Sequence, residues 1–262
     1  MTFSNGTFVA NMNGASSGDK CPGLLFAGSL LEFKGDRKFT LGPASAGLSN
    51  QAMLLDCPQT EFRVEDMTGD LGVDLECGYA LKNWCWSNNH NMQFGESCLV
   101  KTGAGTMMIA AGSDSATNKG NDFSGVEVRE GALIVNASLA KCESVTVAPG
   151  AYIGGTGTVS VASLSPGAGF FVEHGQTAPL TVTNTLAIPA SGSILIKVPP
   201  SKIERVNCVF AKSTAGYSGT ENLSNWTVAV PGCEGDTPRF KLSVDENGLR
   251  VKFVSGLIIS FR

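Results

Sequence analysis

Apolar and polar residues alternate along this chain in short bursts separated by glycine. Leu31-Glu32-Phe33, Phe39-Thr40-Leu41, Phe62-Arg63-Val64 and Val73-Asp74-Leu75 alternate, with Gly35, Gly69 and Gly72 between them. Leu180-Thr181-Val182, Leu186-Ala187-Ile188 and Ile194-Leu195-Ile196 continue the pattern downstream. A period of two sends successive side chains to opposite faces, so each burst predicts a half-buried strand. No run has the Glu, Lys and Leu at helical spacing that a soluble helix needs.

Between Cys98 and Val172 the bursts repeat. Val126-Glu127-Val128-Arg129-Glu130-Gly131-Ala132-Leu133-Ile134-Val135 aligns without gaps on Val145-Thr146-Val147-Ala148-Pro149-Gly150-Ala151-Tyr152-Ile153. Ala162-Ser163-Leu164-Ser165-Pro166-Gly167-Ala168 is a weaker third copy, and Cys98-Leu99-Val100-Lys101-Thr102-Gly103-Ala104 reads as a fourth, aligned on its Gly-Ala pair. Gly131, Gly150 and Gly167 thus recur at nearly even intervals. Each unit is two short strands around a glycine turn, with Val126, Val128, Leu133 and Val135 on one face. One unit cannot bury that face alone, whereas stacked copies bury it continuously and pair their strands in parallel. The pattern thus predicts an all-β parallel β-helix, a single-stranded solenoid. At about 4.8 Å per coil, roughly a dozen coils make a rod about 55–60 Å long.

The first break is Val198-Pro199-Pro200-Ser201, since consecutive prolines cannot extend a paired central strand. Residues 1–198 are therefore expected to be coils, clearest at 98–172, and residues 199–262 the final coils plus an antiparallel β cap. Within that cap the strand candidates are 206–210, 226–230, 240–244, 249–253 and 257–261. Asp245-Glu246-Asn247-Gly248 is a hairpin-turn signal between two of them.

Composition narrows the function. Charged residues make up 16 % and the formal charge is −4 with no basic cluster, which argues against a nucleic-acid partner. No segment approaches the roughly 18 apolar residues of a membrane-spanning helix. The opening Met1-Thr2-Phe3-Ser4-Asn5-Gly6-Thr7-Phe8 reads as mid-strand and turn, so an export signal is expected to lie upstream or to have been removed. None of the eight cysteines forms a C-x-x-C pair, which argues against structural zinc. Cys57, Cys77 and Cys98 recur at close to the repeat length and are expected to stack as a column of buried thiols.

Leu99-Val100-Lys101-Thr102-Gly103-Ala104-Gly105-Thr106-Met107-Met108-Ile109, followed by Phe123-Ser124-Gly125, Val126-Glu127-Val128 and Glu130-Gly131-Ala132-Leu133, resembles the autotransporter-associated β-strand repeat. Met107 and Ile109 stand where that family usually has Leu. The resemblance implies a right-handed β-helix and export by a Gram-negative bacterium, often as an autotransporter passenger. It supplies no ligand. The family's membrane barrel has no expected counterpart in the short stretch after the last clear coil, and eight cysteines are unusual for a passenger.

Two constellations carry candidate chemistry. A β-helical polysaccharide lyase or hydrolase needs clustered carboxylates and a cation. Asp70, Asp74, Glu76 and Lys82 are near one another in sequence, but the pattern reads Asp74 and Glu76 as a solvated outer face opposite Val73, Leu75 and Cys77. His90 and His174 are the only histidines, too few and too isolated for a nucleophilic triad. A binding reading rests on Trp84, Trp86, Asn88 and Asn89, where indoles beside amides suit a sugar face and its hydroxyls. The simpler reading is a loop with turn-forming asparagines. Asn5, Asn136, Asn222 and Asn225 begin glycosylation sequons, taken as chance matches in a bacterial protein.

The expected function is therefore a non-catalytic secreted or cell-surface scaffold, adhesin-like, without cofactor or metal. Its expected partners are surface glycans or other cell-surface proteins. The alternative is a carbohydrate-active β-helix enzyme or glycan-binding module.

Overall fold

The structure is a computed structural model that describes residues 1–4, 7–8, 23–42, 52–82, 84–87, 90–93, 96–110, 121–233 and 239–254. Strands dominate it, and most pair in parallel. Numbered in chain order, a seven-stranded sheet contains β1 (Thr2–Ser4), β4 (Leu30–Lys34), β7 (Gln59–Val64), β12 (Cys98–Thr102), β14 (Gly125–Val128), β17 (Ser144–Val147) and β20 (Ser163–Leu164). A nine-stranded sheet contains β2 (Thr7–Phe8), β5 (Phe39–Leu41), β8 (Leu75–Cys77), β13 (Thr106–Ile109), β15 (Ala132–Val135), β18 (Tyr152–Gly154), β21 (Gly169–Glu173), β24 (Ser193–Lys197) and β27 (Thr227–Ala229). The third large sheet runs β16 (Ser138–Leu139), β19 (Thr158–Val159), β22 (Leu180–Val182), β25 (Asn207–Ser213), β29 (Gly248–Phe253) and β28 (Phe240–Asp245). Smaller sheets hold β3 (Gly23–Phe26), β6 (Ala52–Leu55) and β9 (Ala80–Lys82), then β10 (Trp84–Ser87) with β11 (His90–Gln93), and β23 (Leu186–Ala187) with β26 (Tyr217–Ser218).

From β14 to β22 the chain visits the three large sheets in turn and then starts again. From Gly125 to Leu164 the register in the seven-stranded sheet follows the sequence repeat: Val126 pairs Val145, Val128 pairs Val147, and Val147 pairs Leu164. In the neighbouring sheet Met107 pairs Leu133, which pairs Ile153 and not the Tyr152 that the gapless alignment puts opposite it, because the turn at Gly150 holds one residue more than the turn at Gly131; Ile153 in turn pairs Phe170. These paired residues are all buried and belong to one core that receives side chains from all three sheets, from Leu31 through Leu133 and Val159 to Phe253. Burial of these side chains from water, about 25 cal/mol per Å² of apolar surface, is the main force holding the ladders together. Phe33 anchors its N-terminal end, stacked on Phe3 at 5.2 Å and on Phe62 at 5.9 Å between ring centroids.

The glycine turns form where the repeat puts them. Gly131, Gly150 and Gly167 have φ of 66°, 77° and 87°, a region that side-chain-bearing residues resist. At Gly131 a Cβ would also run into the carbonyl oxygens of Gly103 and Gly105.

Parallel pairing continues past the proline pair, which opens a 3-10 helix at Pro200–Arg205. β22, β23 and β24 pair β25, β26 and β27 in parallel. Antiparallel pairing then begins, with β29 against β25 and β28 against β29 around the turn expected at Asp245 to Gly248. The strand candidate at 257–261 lies outside the described residues.

Three expectations are corrected. The cysteines form no column: Cys77 lies on β8 of the nine-stranded sheet and Cys98 on β12 of the seven-stranded one, while Cys57 precedes β7. Cys57, Cys77 and Cys98 are free thiols all the same. The fourth repeat copy is offset by one position, since Lys101 rather than Val100 pairs Val128. Its turn to the next glycine is correspondingly shorter than in the other copies. Finally, Asp74 is not on a solvated face but is 1 % exposed.

Candidate functional site

The offset at Lys101 carries a charge into the interior. Its register partners Phe62 and Val128 are core residues, and Lys101 is itself fully buried. The ammonium Nζ donates to the carbonyls of Thr102 at 2.9 Å, Gly103 at 2.7 Å and Glu130 at 3.0 Å. An ammonium has three N–H bonds, and each finds an acceptor. Burial pushes the Lys101 pKa down to about 7, against the opposing pull of the Asp74 and Glu130 carboxylates.

Asp74 is spent on the backbone around the same point. One carboxylate oxygen accepts from the Met67 and Thr68 amides, both at 2.8 Å, and from the Thr68 hydroxyl at 2.9 Å. The other accepts from the Thr106 amide at 2.7 Å. Asp74 thus fastens the loop before β8 to the start of β13, its neighbour in the nine-stranded sheet. The Glu130 carboxylate accepts from the Gly103 amide at 2.8 Å, closing the cluster from the turn before β15. This polar knot, buried at Lys101 and Asp74 and exposed at Glu130, joins the approaches to β8, β13 and β15. The sequence signal that could have found it is Lys-x-Gly-x-Gly at 101–105, out of step with its neighbours.

The other enzyme candidates are dispersed. Glu76 pairs with Lys38, and Asp70 accepts from the Gly72 amide within its own turn. Lys82 is buried and forms an isolated parallel bridge with Asp122. His174 sits in the turn after β21, its amide donating to the Lys197 carbonyl at 2.9 Å. Asp70, Asp74, Glu76 and Lys82 do not converge on one cleft. Among the described residues, no group of three or more His, Cys, Asp or Glu could hold a metal ion.

Of the binding candidates, Trp84 and Trp86 lie on β10, which pairs antiparallel with β11 through Trp84–Gln93 and Trp86–Asn91. The segment is a hairpin, not an irregular loop. Asn88 and Asn89 lie outside the described residues.

Among the described residues the surface also holds concavities that the pattern did not predict. A broad open groove of about 860 Å³ runs between β28 and the 3-10 helix Thr220–Asn225, floored by Leu223, Trp226 and Val228. A smaller pocket of about 200 Å³ opens on the outer face of the nine-stranded sheet, lined by Val73, Met108, Ile134 and Phe171.

The outer face of the seven-stranded sheet is polar and internally neutralised. Arg63 pairs with Glu61 at 3.0 Å and Glu32 at 3.8 Å, Arg129 with Glu127 at 2.6 Å, and Lys34 with Glu32 at 3.5 Å. Such exposed pairs contribute little stability, roughly 0–1 kcal/mol each. Their consequence is a face without a net field over distances beyond the Debye length.

No helix among the described residues is long and apolar enough to cross a membrane. No protein-family model matches the chain, and neither a curated protein nor a solved structure matches it.

Proposed function

We propose that this chain is a non-catalytic, exported scaffold: a right-handed parallel β-helix of the autotransporter-associated repeat kind, capped by its antiparallel C-terminal hairpin. Its work is to hold connecting segments at fixed intervals on a secreted or cell-surface rod. The observation that carries the reading is the coincidence of two independent periods. The glycine-spaced sequence repeat of Val128, Val147 and Leu164 falls on the parallel pairing register of β14, β17 and β20. A repeat whose purpose is to stack is a repeat spent on length and rigidity.

The disposition of charge supports the scaffold over the glycan-processing alternative. Asp74, Glu76 and Glu130 are consumed by the backbone or by a lysine partner, and the arginines of the seven-stranded face are paired. A polysaccharide lyase instead needs several carboxylates and a cation free on one groove. The glycan-binding alternative keeps one favourable observation, the Trp84–Ser87 strand paired into a hairpin that departs from the three large sheets.

A glycan array combined with a reducing-end assay on acidic polysaccharides tests the proposal. The expected result is no turnover of any polysaccharide. Release of reducing ends would overturn the scaffold reading. Detection of the protein on intact cells or in the medium of its host tests export separately.

A further inference from the structure

In the nine-stranded sheet, positions that alternate with the core should face solvent and be polar. One outward column is apolar instead: Met108 pairs Ile134, Ile134 pairs Gly154, Gly154 pairs Phe171 and Phe171 pairs Leu195. Ile134 and Phe171 are 6 % and 2 % exposed although they point away from the main core, because Leu71, Val73 and Met108 pack with them into a second apolar cluster. At Gly154 the column has no side chain to offer. Beside this column lies the pocket of about 200 Å³, walled by Val73, Met108, Ile134 and Phe171 and closed at one side by the turn Gly175–Thr177.

The polar groups at its rim decide what could fill it. Gln176 is fully committed: its side-chain oxygen accepts from the Glu173 amide, and its nitrogen donates to the Ala178 and Val209 carbonyls. The Asn136 oxygen accepts from both the amide and the hydroxyl of Thr156. The Asn136 nitrogen donates to the Met108 sulfur at 3.2 Å, a weak acceptor that an oxygen would displace. The Glu173 carboxylate is at the mouth, its side chain 57 % exposed and 3.7 Å from the Lys197 ammonium. The pocket thus offers apolar walls and a polar rim made of the Asn136 amide donor, the Glu173 carboxylate acceptor and the Thr156 and Thr177 hydroxyls. A sugar ring, with a hydroxyl on nearly every carbon, would leave most of its polar groups facing carbon here. A single aromatic ring fits the volume, since an apolar cavity of about 150 Å³ accommodates benzene.

We propose that this pocket binds a phenolic ring, its face against Ile134 and Phe171 and its hydroxyl donating to Glu173 while accepting from Asn136. The ring could be supplied by a free phenol or by a tyrosine side chain of a partner protein, and the chemistry recognised is the same.

Saturation-transfer NMR on the intact chain tests this with p-cresol, toluene, N-acetyl-tyrosinamide and methyl β-glucopyranoside. The expected result is p-cresol binding in about the millimolar range, as its small size dictates, with toluene weaker and the glucoside silent. Val73→Trp fills the pocket and abolishes the p-cresol signal, with its melting temperature checking the fold. Glu173→Gln, an exposed and structurally mild change, weakens p-cresol about fivefold and leaves toluene unchanged; it decides the matter alone should the tryptophan variant not fold. Binding of p-cresol without the tyrosinamide assigns the pocket to free phenols, and binding of both assigns it to a tyrosine side chain. No p-cresol signal, a signal indifferent to Val73→Trp, equal weakening of p-cresol and toluene by Glu173→Gln, or glucoside binding of equal strength would each overturn the proposal.

Discussion

Replacing Lys101 by methionine should change how the stability of this fold depends on pH, in a direction set by the burial of its ammonium. In the unfolded chain this lysine titrates at its ordinary value of 10.5, and in the fold at about 7. Between those two values the unfolded chain binds the extra proton. Stability is therefore lowest below about pH 7 and rises as pH climbs towards 10.5. The slope is about 1.4 kcal/mol per pH unit, and the full interval corresponds to about 5 kcal/mol. Lys101→Met removes the titration and also strands the Thr102, Gly103 and Glu130 carbonyls, which costs about 3 kcal/mol or more at neutral pH. Urea unfolding of both proteins at pH 7, 8 and 9 separates these effects, since only the wild type gains stability along the series. The wild-type advantage should widen by about 2.3 kcal/mol over that range, since the folded lysine is still half protonated at pH 7. Cys77, Cys98, Cys142 and Cys208, pushed up to about 11–12 by burial, act in the opposite sense. Their unfolded thiols ionise near pH 9 while the folded ones keep their protons, so stability falls above that point. Both proteins share that loss, and it cancels in the difference. A wild-type advantage that stays constant from pH 7 to pH 9, or shrinks, would refute the idea that burial governs this charge.

Further outcomes follow from single residues. Thr60 is fully buried with no partner for its hydroxyl among the described residues, so Thr60→Val should stabilise the fold by about 1 kcal/mol in urea titration; destabilisation would show that the hydroxyl is satisfied. Gly131→Ala should lower the melting temperature by several degrees through a strained φ of 66° and collision with neighbouring carbonyls, whereas Gly150→Ala, at a similar φ of 77° with nothing within 4 Å of the added carbon, should cost less. Cys77 and Cys142, buried and pushed up to about 12, should resist a thiol reagent at pH 8 until the protein unfolds; labelling of either at native conditions would contradict the packing.

Much of the ladder is legible in the sequence because burial imposes a period of two on strands and stacking imposes a longer period on the chain. Val126, Val128, Leu133 and Val135 follow both rules and lie where alternation puts them. The failures are local. Aligned on its Gly-Ala pair, Lys101 falls on the outer face, but its turn is short, and a shift of one position exchanges the faces of a strand. Asp74 looks solvated because aspartate usually is, yet four donors satisfy it at once. The apolar outer column of Met108, Ile134 and Phe171 is invisible to alternation, which has no means of distinguishing an outer face covered by its own loop from one open to water. β10 and β11 escape because the asparagines between them signal a turn without saying whether the flanks pair.

The uneven path between successive rungs carries one more consequence. In the seven-stranded sheet the chain runs furthest from Gln59 to its partner Cys98, less far from Cys98 to Gly125, and least from Thr146 to Ser163. The rungs themselves admit no change in length, because a single insertion there turns the core inside out. The connections between them do, since loop closure grows only logarithmically with added chain. Mutational freedom in such a molecule is partitioned by geometry: length variation is silent in the connections and ruinous in the strands. A lineage can therefore lengthen, shorten or exchange the connections without renegotiating how the strand ladder is built.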